Sequence, residues 1–230
     1  MSHTFITREP IMSLQLYAHP FSSYCQKVLT ALYENQTPFE FCLVAHDDAD
    51  AWRRLEALWT MKQFPVLVDQ GITVVESSVI IEHLDLYYPG PAPLIPKDPK
   101  AALPVRMMDR FFDNYVMTPM QKLVYNYMRE EGAHDLQGVA EAKQKLDKAY
   151  AWLNAALVGC EWAAGDAFTL ADCAAAPSLF YADWVYAIPP EHTSLIAYRQ
   201  CLLARPSFAR AVEEARPYRK NFPLGAPDRD

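Results

Sequence analysis

A chain of 230 residues, half of them hydrophobic and 13% aromatic, has the material for one large domain or two small ones. Its formal charge of −7 and pI near 5.4 exclude nucleic acid or an anionic membrane surface as the main partner. No run of about 18 apolar residues occurs, which excludes a membrane-spanning helix.

The opening residues 1–12 carry one Arg, one Glu and no apolar core segment, so they do not read as a secretory signal but as a flexible leader before a fold that begins near Ser13. Leu14 to Ala18 is a short apolar strand. Cys25, Val28, Leu29 and Leu32 then recur at helical spacing, predicting an amphipathic helix from Ser23 to about Glu34. Phe39, Phe41 and Leu43 alternate with Glu40 and Cys42 as a second strand, and Asp47 to Trp59 is weakly helical. Val66 to Asp69 and Ile72 to Val75 flank Gln70-Gly71, a hairpin signal, and Pro65 fits only the start of its strand because it lacks an amide hydrogen. A helix from Ser77 to about Tyr88 completes the order β-α-β-α-β-β-α, the layout of a thioredoxin-like domain over 13–88.

Five prolines between Tyr88 and Pro99 make 89–99 a stiff linker. Everything after it reads as helix, giving an all-α domain over 100–222 and a flexible tail at 223–230. The expected helices are Arg106 to Met128 with a kink at Pro119, Ala140 to Leu157, Thr169 to Trp184 and Pro206 to Arg216. Thr169-Leu170-Ala171-Asp172 is a capping box with Asp172 as the reciprocal acceptor, a structural rather than catalytic carboxylate.

Three places carry chemistry. Glu76-Ser77 sets a carboxylate and a hydroxyl at a helix N-terminus, where unpaired N–H groups and the helix dipole favour an anion; the pair suits a headgroup bearing both a carboxylate and an ammonium. In the first loop, Ser23-x-x-Gln26 fits a capping box, which makes Ser23 the N-cap and leaves the Ser22 hydroxyl uncommitted. Cys25 lies on the apolar stripe and reads as buried rather than reactive. The five cysteines are scattered with no C-x-x-C pair, and the histidines show no ligand spacing, so no metal site is implied and a reducing compartment, the cytoplasm, is expected.

These motifs in this order, namely the Ser22-Ser23 loop, Lys62-Gln63-Phe64-Pro65-Val66, Glu76-Ser77 before a helix, and Thr169-Leu170-Ala171-Asp172, resemble the cytosolic glutathione transferases from Leu14 to about Tyr218, particularly their Ser-type, bacterial-like members. The resemblance implies glutathione as cosubstrate and no metal. It implies a cis Pro65 exposing the Val66 backbone to the cysteinyl residue, with Glu76 and Ser77 on the γ-glutamyl group and Lys62 beside Gln63 near the glycyl carboxylate. The active-site hydroxyl falls on Ser22, with Ser23 in reserve, and a two-fold homodimer is expected. Phe21, Phe112, Tyr115 and Trp184 are the candidates for an apolar substrate pocket.

The implied activity is conjugation of glutathione to small apolar electrophiles, a detoxification chemistry. Ser22-Ser23 and Met61-Lys62-Gln63 also look like the zeta class, which suggests glutathione-dependent isomerisation of the maleylacetoacetate type. That class, however, typically has Ser-Ser-Cys in the loop and Gln-Ser where this chain has Glu76-Ser77. A non-catalytic glutathione-transferase-like binding module is the third reading.

Overall fold

The structure, a computed structural model, describes residues 14–230; the leader expected at 1–12 and the start near Ser13 lie outside them. The N-terminal half is a four-stranded mixed sheet in the order β2-β1-β3-β4, comprising β1 (Leu14–Ala18), β2 (Glu40–Leu43), β3 (Val66–Asp69) and β4 (Ile72–Val75). Strand β1 runs parallel to β2 and antiparallel to β3, and β3 pairs antiparallel with β4. Alternation in β1 sends Leu14, Leu16 and Ala18 into the core. The hairpin turn needs positive φ at two successive residues, and Gln70 (49°) and Gly71 (85°) supply it.

Helices α1 (Ser23–Glu34), α2 (Ala49–Leu58) and α3 (Ser77–Tyr87) complete this half, which is thioredoxin-like as the element order predicts. The second half is helical: α4 (Pro99–Phe111), a π-helical segment (Phe112–Met117), α5 (Thr118–Tyr127), α6 (Leu136–Ala156), α7 (Leu170–Val185), α8 (Thr193–Ala204), α9 (Pro206–Ala215) and a closing 3₁₀ turn (Arg216–Asn221). The two halves share one apolar core, because α1 packs against α7 and α9 as well as α3. Beside that seam, Glu34 of α1 accepts from Arg205 Nε (3.1 Å) and Ser207 Oγ (2.7 Å) at the start of α9.

Several expectations change. The helix expected from Arg106 begins at Pro99, capped by Asp98, whose carboxylate accepts from the amides of Lys100 and Ala101. Its break is the π-helical segment rather than a proline kink: Pro119 sits in the first turn of α5, where a missing N–H costs nothing. Helix α6 starts four residues before Ala140, with Asp135 accepting from Gly138 N at 2.8 Å. Helix α8 was not anticipated; its buried Leu195, Tyr198, Arg199 and Leu202 have helical spacing, but a charged residue on the stripe hides the pattern. The linker is docked as well as stiff, since Leu94 N donates to Asp85 (2.8 Å) and Leu94 O accepts from Leu170 N (2.9 Å). The tail at 223–230 is not loose either: Arg229 pairs with Asp183, and Asp230 pairs with Arg216 (3.0 Å) and Arg219.

The capping box at α7 forms as expected but carries more than a cap. Asp172, fully buried, accepts from Thr169 N (2.8 Å), Thr169 Oγ1 (3.1 Å), Ala163 N (2.9 Å) and Tyr198 Oη (2.6 Å), tying α7 to α8 and the preceding loop. Replacing Asp172 by Asn would turn one acceptor oxygen into an amine facing donors. We expect Asp172→Asn to lower stability by about 1–3 kcal/mol, read as a shift in the chemical-denaturation midpoint. An unchanged midpoint would reduce the residue to an ordinary surface cap.

Among the described residues no helix is long and apolar enough to cross a membrane, and no group of three His, Cys, Asp or Glu side chains is placed to hold a metal.

Candidate functional site

A cleft of ≈ 350 Å³ opens where the end of the sheet meets α4 and the π-helical segment. One wall is made by Gln63, Phe64, Pro65, Glu76 and Ser77 and the other by Tyr24, Arg110, Asp113 and Asn114. The Phe64–Pro65 peptide bond is cis. Strand β3 begins immediately after it, so Val66 is fully buried and paired with Tyr17 and Val75. Phe64, rather than Val66, faces the cleft, and its N–H and C=O take no backbone partner among the described residues. The proline itself was the signal: a residue before proline is held extended, outside the ladder.

Glu76 holds φ at 70°, an uncommon value for a residue with a side chain, and precedes α3 without a side-chain capping bond. Ser77, only 6% exposed, opens the helix. The first amides of α3 are unpaired helix-end donors, so the carboxylate of Glu76 and an anion-seeking helix terminus lie side by side in one cleft. Lys62, by contrast, does not line the cleft. It has φ 53° and its ammonium pairs with Glu56 at 2.9 Å, both side chains about half exposed.

Behind the cleft lies a cluster that sequence reasoning missed. Lys27, 1% exposed on α1, pairs with Asp109 (2.6 Å) and Asp113 (2.8 Å) and donates to Ser78 Oγ (2.9 Å), so its ammonium is enclosed by three oxygen partners. Arg110 closes the outer side through Asp109 (2.7 Å), Asp113 (2.6 Å) and Ser78 Oγ. Burial raises the Asp113 pKa and Lys27 pulls it back part of the way. The signal available was Asp109 and Asp113 four apart among the apolar Met108, Phe112, Val116 and Met117, with a lysine amid the apolar residues of α1. Tyr24 also lines the cleft; burial and then Asp113 push its phenol up, so it stays neutral.

A second pocket, ≈ 220 Å³, shares Gln121 with the cleft and is lined by Phe21, Ser22, Ser23, Met120, Val124, Tyr125, Tyr181 and Phe222. Ser22, not Ser23, is the N-cap of α1: its Oγ accepts from Cys25 N at 3.4 Å with extended φ and ψ, and Ser23 is the first helical residue. The expected capping box fails because Gln26 turns inward, donating to Pro20 O (3.0 Å) and Tyr181 Oη (3.2 Å). The Ser22 hydroxyl is therefore committed as an acceptor, yet capping consumes only a lone pair. Its proton has the buried Cys25 thiol within hydrogen-bond reach, and donating to a second sulfur in the pocket takes a rotation of the hydroxyl away from it. Burial pushes the Cys25 thiol up to about 12, so that sulfur is an inert core group as expected.

Of the four aromatics expected to line a substrate pocket, only Phe21 lines this one. Phe112 is fully buried in the core. Tyr115 projects from the π-helical segment, 55% exposed, with its ring 5.1 Å from that of Phe111. Trp184 stands behind the wall, its ring 5.7 Å from Tyr181 and 5.4 Å from Phe222. Helical spacing alone does not show which face of α4 meets the first domain; the lining aromatics Tyr125, Tyr181 and Phe222 come from three separate segments.

Two family models match the chain in order: Glutathione S-transferase, N-terminal domain, over 16–92, and Glutathione S-transferase, C-terminal domain, over 115–206. A stringent starvation protein A homolog of Coxiella burnetii is 28% identical over 209 residues, 88% of this chain and 92% of that protein. The fold is similar to that of a Methylobacillus flagellatus glutathione S-transferase solved with glutathione bound, at 25% identity and TM-score 0.79, over 86% of this chain and 98% of that one. It is also similar to a Methylobacterium radiotolerans glutathione S-transferase solved with glutathione sulfonate, at 30% identity and TM-score 0.75, over 86% of this chain and 94% of that one. With both domains matched in sequence order and likeness extending over nearly the whole of a solved relative, this chain belongs to the glutathione S-transferase family of enzymes.

Proposed function

We propose that the protein binds glutathione across the cleft and activates its thiol at Ser22 for attack on a small apolar electrophile held in the adjoining pocket. The observation that carries this reading is the placement of three consecutive residues. Ser22 and Ser23 line the apolar pocket while Tyr24 lines the polar cleft, so a tripeptide seated in the cleft brings its sulfur to the junction of the two. Both structural relatives named above were solved with glutathione or its sulfonate, which supports the same ligand here.

In this reading Glu76 receives the γ-glutamyl ammonium, and Ser77 with the first amides of α3 receives its carboxylate. The cysteinyl backbone pairs with the N–H and C=O of Phe64, beside cis Pro65, in place of the Val66 backbone. Gln63 and Lys62 serve the glycyl end. The Lys62–Glu56 pair is half exposed and worth at most about 1 kcal/mol, so a carboxylate can compete for the lysine.

The free thiol has a pKa near ~8.5, so only a few per cent is ionised at pH 7. A hydroxyl donating to sulfur beside the start of α1 favours the thiolate; lowering the pKa by roughly one to two units takes about 1.4–2.8 kcal/mol, within reach of one charge-assisted hydrogen bond and a helix dipole. The thiolate, its proton already released to solvent, then attacks an electrophilic carbon, forming a carbon–sulfur bond as a leaving anion departs or as the electrons of an activated double bond shift to a neighbouring atom that solvent protonates.

The partner copy expected for a homodimer has a fitting surface. Val79, Leu86 and Tyr87 of α3 and Leu103 and Met107 of α4 are exposed apolar residues on two helices that the Arg106–Glu82 pair (2.9 Å) holds together. The five free thiols fit a reducing, cytoplasmic setting.

Calorimetric titration with glutathione tests the proposal. Saturable binding at micromolar to low-millimolar ligand, competed by glutathione sulfonate, is the expected result. Absence of binding at millimolar concentrations would overturn it. A second reading is a binding module without turnover, prompted by a relative of nearly full length that is named as a starvation protein rather than a transferase; glutathione binding would then occur without conjugation of any electrophile.

A further inference from the structure

The cluster around Lys27 contains two cations for two carboxylates, and they are placed differently. Lys27 is enclosed by three oxygen partners. Arg110 sits on the outer side with its side chain 51% exposed and lines the glutathione cleft together with Glu76 and Ser77. Its Nε and Nη2 hold Asp109, Asp113 and the hydroxyl of Ser78, the residue next to Ser77, while Nη1 has no hydrogen bond among the described residues. The side chain is thus fixed on one edge by three partners and left with donors on the other.

Holding the two halves together does not require this arrangement, since Lys27 already joins α1, α3 and α4 from within. A guanidinium anchored beside a helix N-terminus, with spare planar donors, is the arrangement that recognises a carboxylate. Glu76, on the same wall as Ser77, supplies the opposite charge. The cleft therefore presents a cation, a helix terminus and a carboxylate within a single small volume.

We infer that Arg110, from the helical domain, binds the α-carboxylate of the γ-glutamyl group, so that recognition of this headgroup is shared between the two domains. The inference rests on the reading that glutathione occupies the cleft. It assigns Arg110 a specificity role and no part in the chemical step: it selects cosubstrates that carry the free α-carboxylate, and the serine loop acts on the sulfur. The buried Lys27–Asp109–Asp113 group holds the guanidinium in place.

Two glutathione analogues separate this role from a structural one. γ-Aminobutyryl-cysteinyl-glycine lacks the α-carboxylate but keeps the ammonium; glutaryl-cysteinyl-glycine lacks the ammonium but keeps the carboxylate. The wild type is expected to bind each about 10- to 100-fold more weakly than glutathione. Arg110→Gln should raise the glutathione KM and Kd by about 10-fold or more with kcat within about twofold, and should sharply reduce the preference for glutathione over the decarboxylated analogue alone, leaving the part that Ser77 and the first amides of α3 supply. Its preference over the analogue without the ammonium should persist, because Glu76 is intact. Arg110→Lys, which keeps a cation for Asp109 and Asp113, should fall between the two and guards against a general loss of fold.

Equal weakening of all three ligands in Arg110→Gln, or full retention of discrimination against the decarboxylated analogue, would overturn the inference while leaving the proposed function standing. Failure of the wild type to bind glutathione at all would overturn both.

Discussion

Turnover with a small apolar electrophile should fall about 8- to 25-fold in Ser22→Ala, with the glutathione KM changed by no more than about twofold. The hydroxyl acts on sulfur in its anionic form, and the headgroup contacts that set affinity lie in the neighbouring cleft. At neutral pH the rate follows the ionised fraction of the bound thiol, so a pKa restored by one to two units cuts that fraction from roughly 25–75% to about 3%. The substitution also removes the N-cap of α1. The capping bond is long at 3.4 Å, so the stability cost belongs at the low end of the usual range, about 0.5–1 kcal/mol, and leaves the protein folded. Ser23→Ala, which touches the same pocket without capping the helix, serves as the control and should cost less than about threefold. Steady-state kinetics on both variants checks the assignment; equal losses, or a loss confined to Ser23→Ala, would move the thiol's partner to Ser23.

The largest stability effect is expected at Lys27. Its ammonium is the inner counter-ion of Asp109 and Asp113, both themselves buried, and it binds Ser78 as well. Lys27→Met keeps the length and volume of the side chain but leaves those carboxylates with Arg110 alone, on the exposed side. Removing one partner of a buried ion pair costs about 3–5 kcal/mol, because the other charge stays desolvated. For a chain of this size that is a drop of roughly 6–20 °C in Tm. The same variant should bind glutathione more weakly, since Ser78 and Arg110 both lean on the cluster. A triple substitution, Lys27→Met with Asp109→Asn and Asp113→Asn, should recover much of the lost stability, because the desolvated charges go with the cation. Calorimetric melting of the two variants decides: equal stability of the single variant and the wild type would show that the cluster contributes nothing net.

The β-α-β-α-β-β-α order was legible because each element carries its own local pattern: alternation in Leu14 to Ala18, a Gln70-Gly71 turn, a capping box ahead of α7. Where two patterns overlapped, boundaries slipped. Pro104 inside α4 hid the true start at Pro99, Arg199 masked α8, and the π-helical segment at Phe112–Met117 has no sequence periodicity of its own. The loop Ser22-Ser23 and the Glu76-Ser77 helix start were visible as chemistry, since capping and dipole arguments need only a few consecutive residues. The assignment of the cap between two adjacent serines was not, because it turned on Gln26 finding Tyr181, which lies 155 residues away.

The same limit explains the substrate pocket and the ion cluster. Aromatics at helical spacing do not declare which neighbour they face, so Phe112 and Trp184 read like lining residues, yet Phe112 is core and Trp184 packs half-buried against it. Lys27, Asp109 and Asp113 are unremarkable separately and meaningful only once α1 and α4 are brought together. Lys62 shows the converse: a cation in the expected register whose side chain is held by Glu56 beside the cleft rather than in it.

The measurement that bears most directly on the account is the titration of the bound thiol, followed by ultraviolet thiolate absorbance of the glutathione complex against pH. A midpoint of roughly 6.5–7.5 is expected in the wild type, below the ~8.5 of the free thiol, with a return to near the free value in Ser22→Ala. A wild-type midpoint at or above the free value, or the same depression in Ser22→Ala, would contradict it.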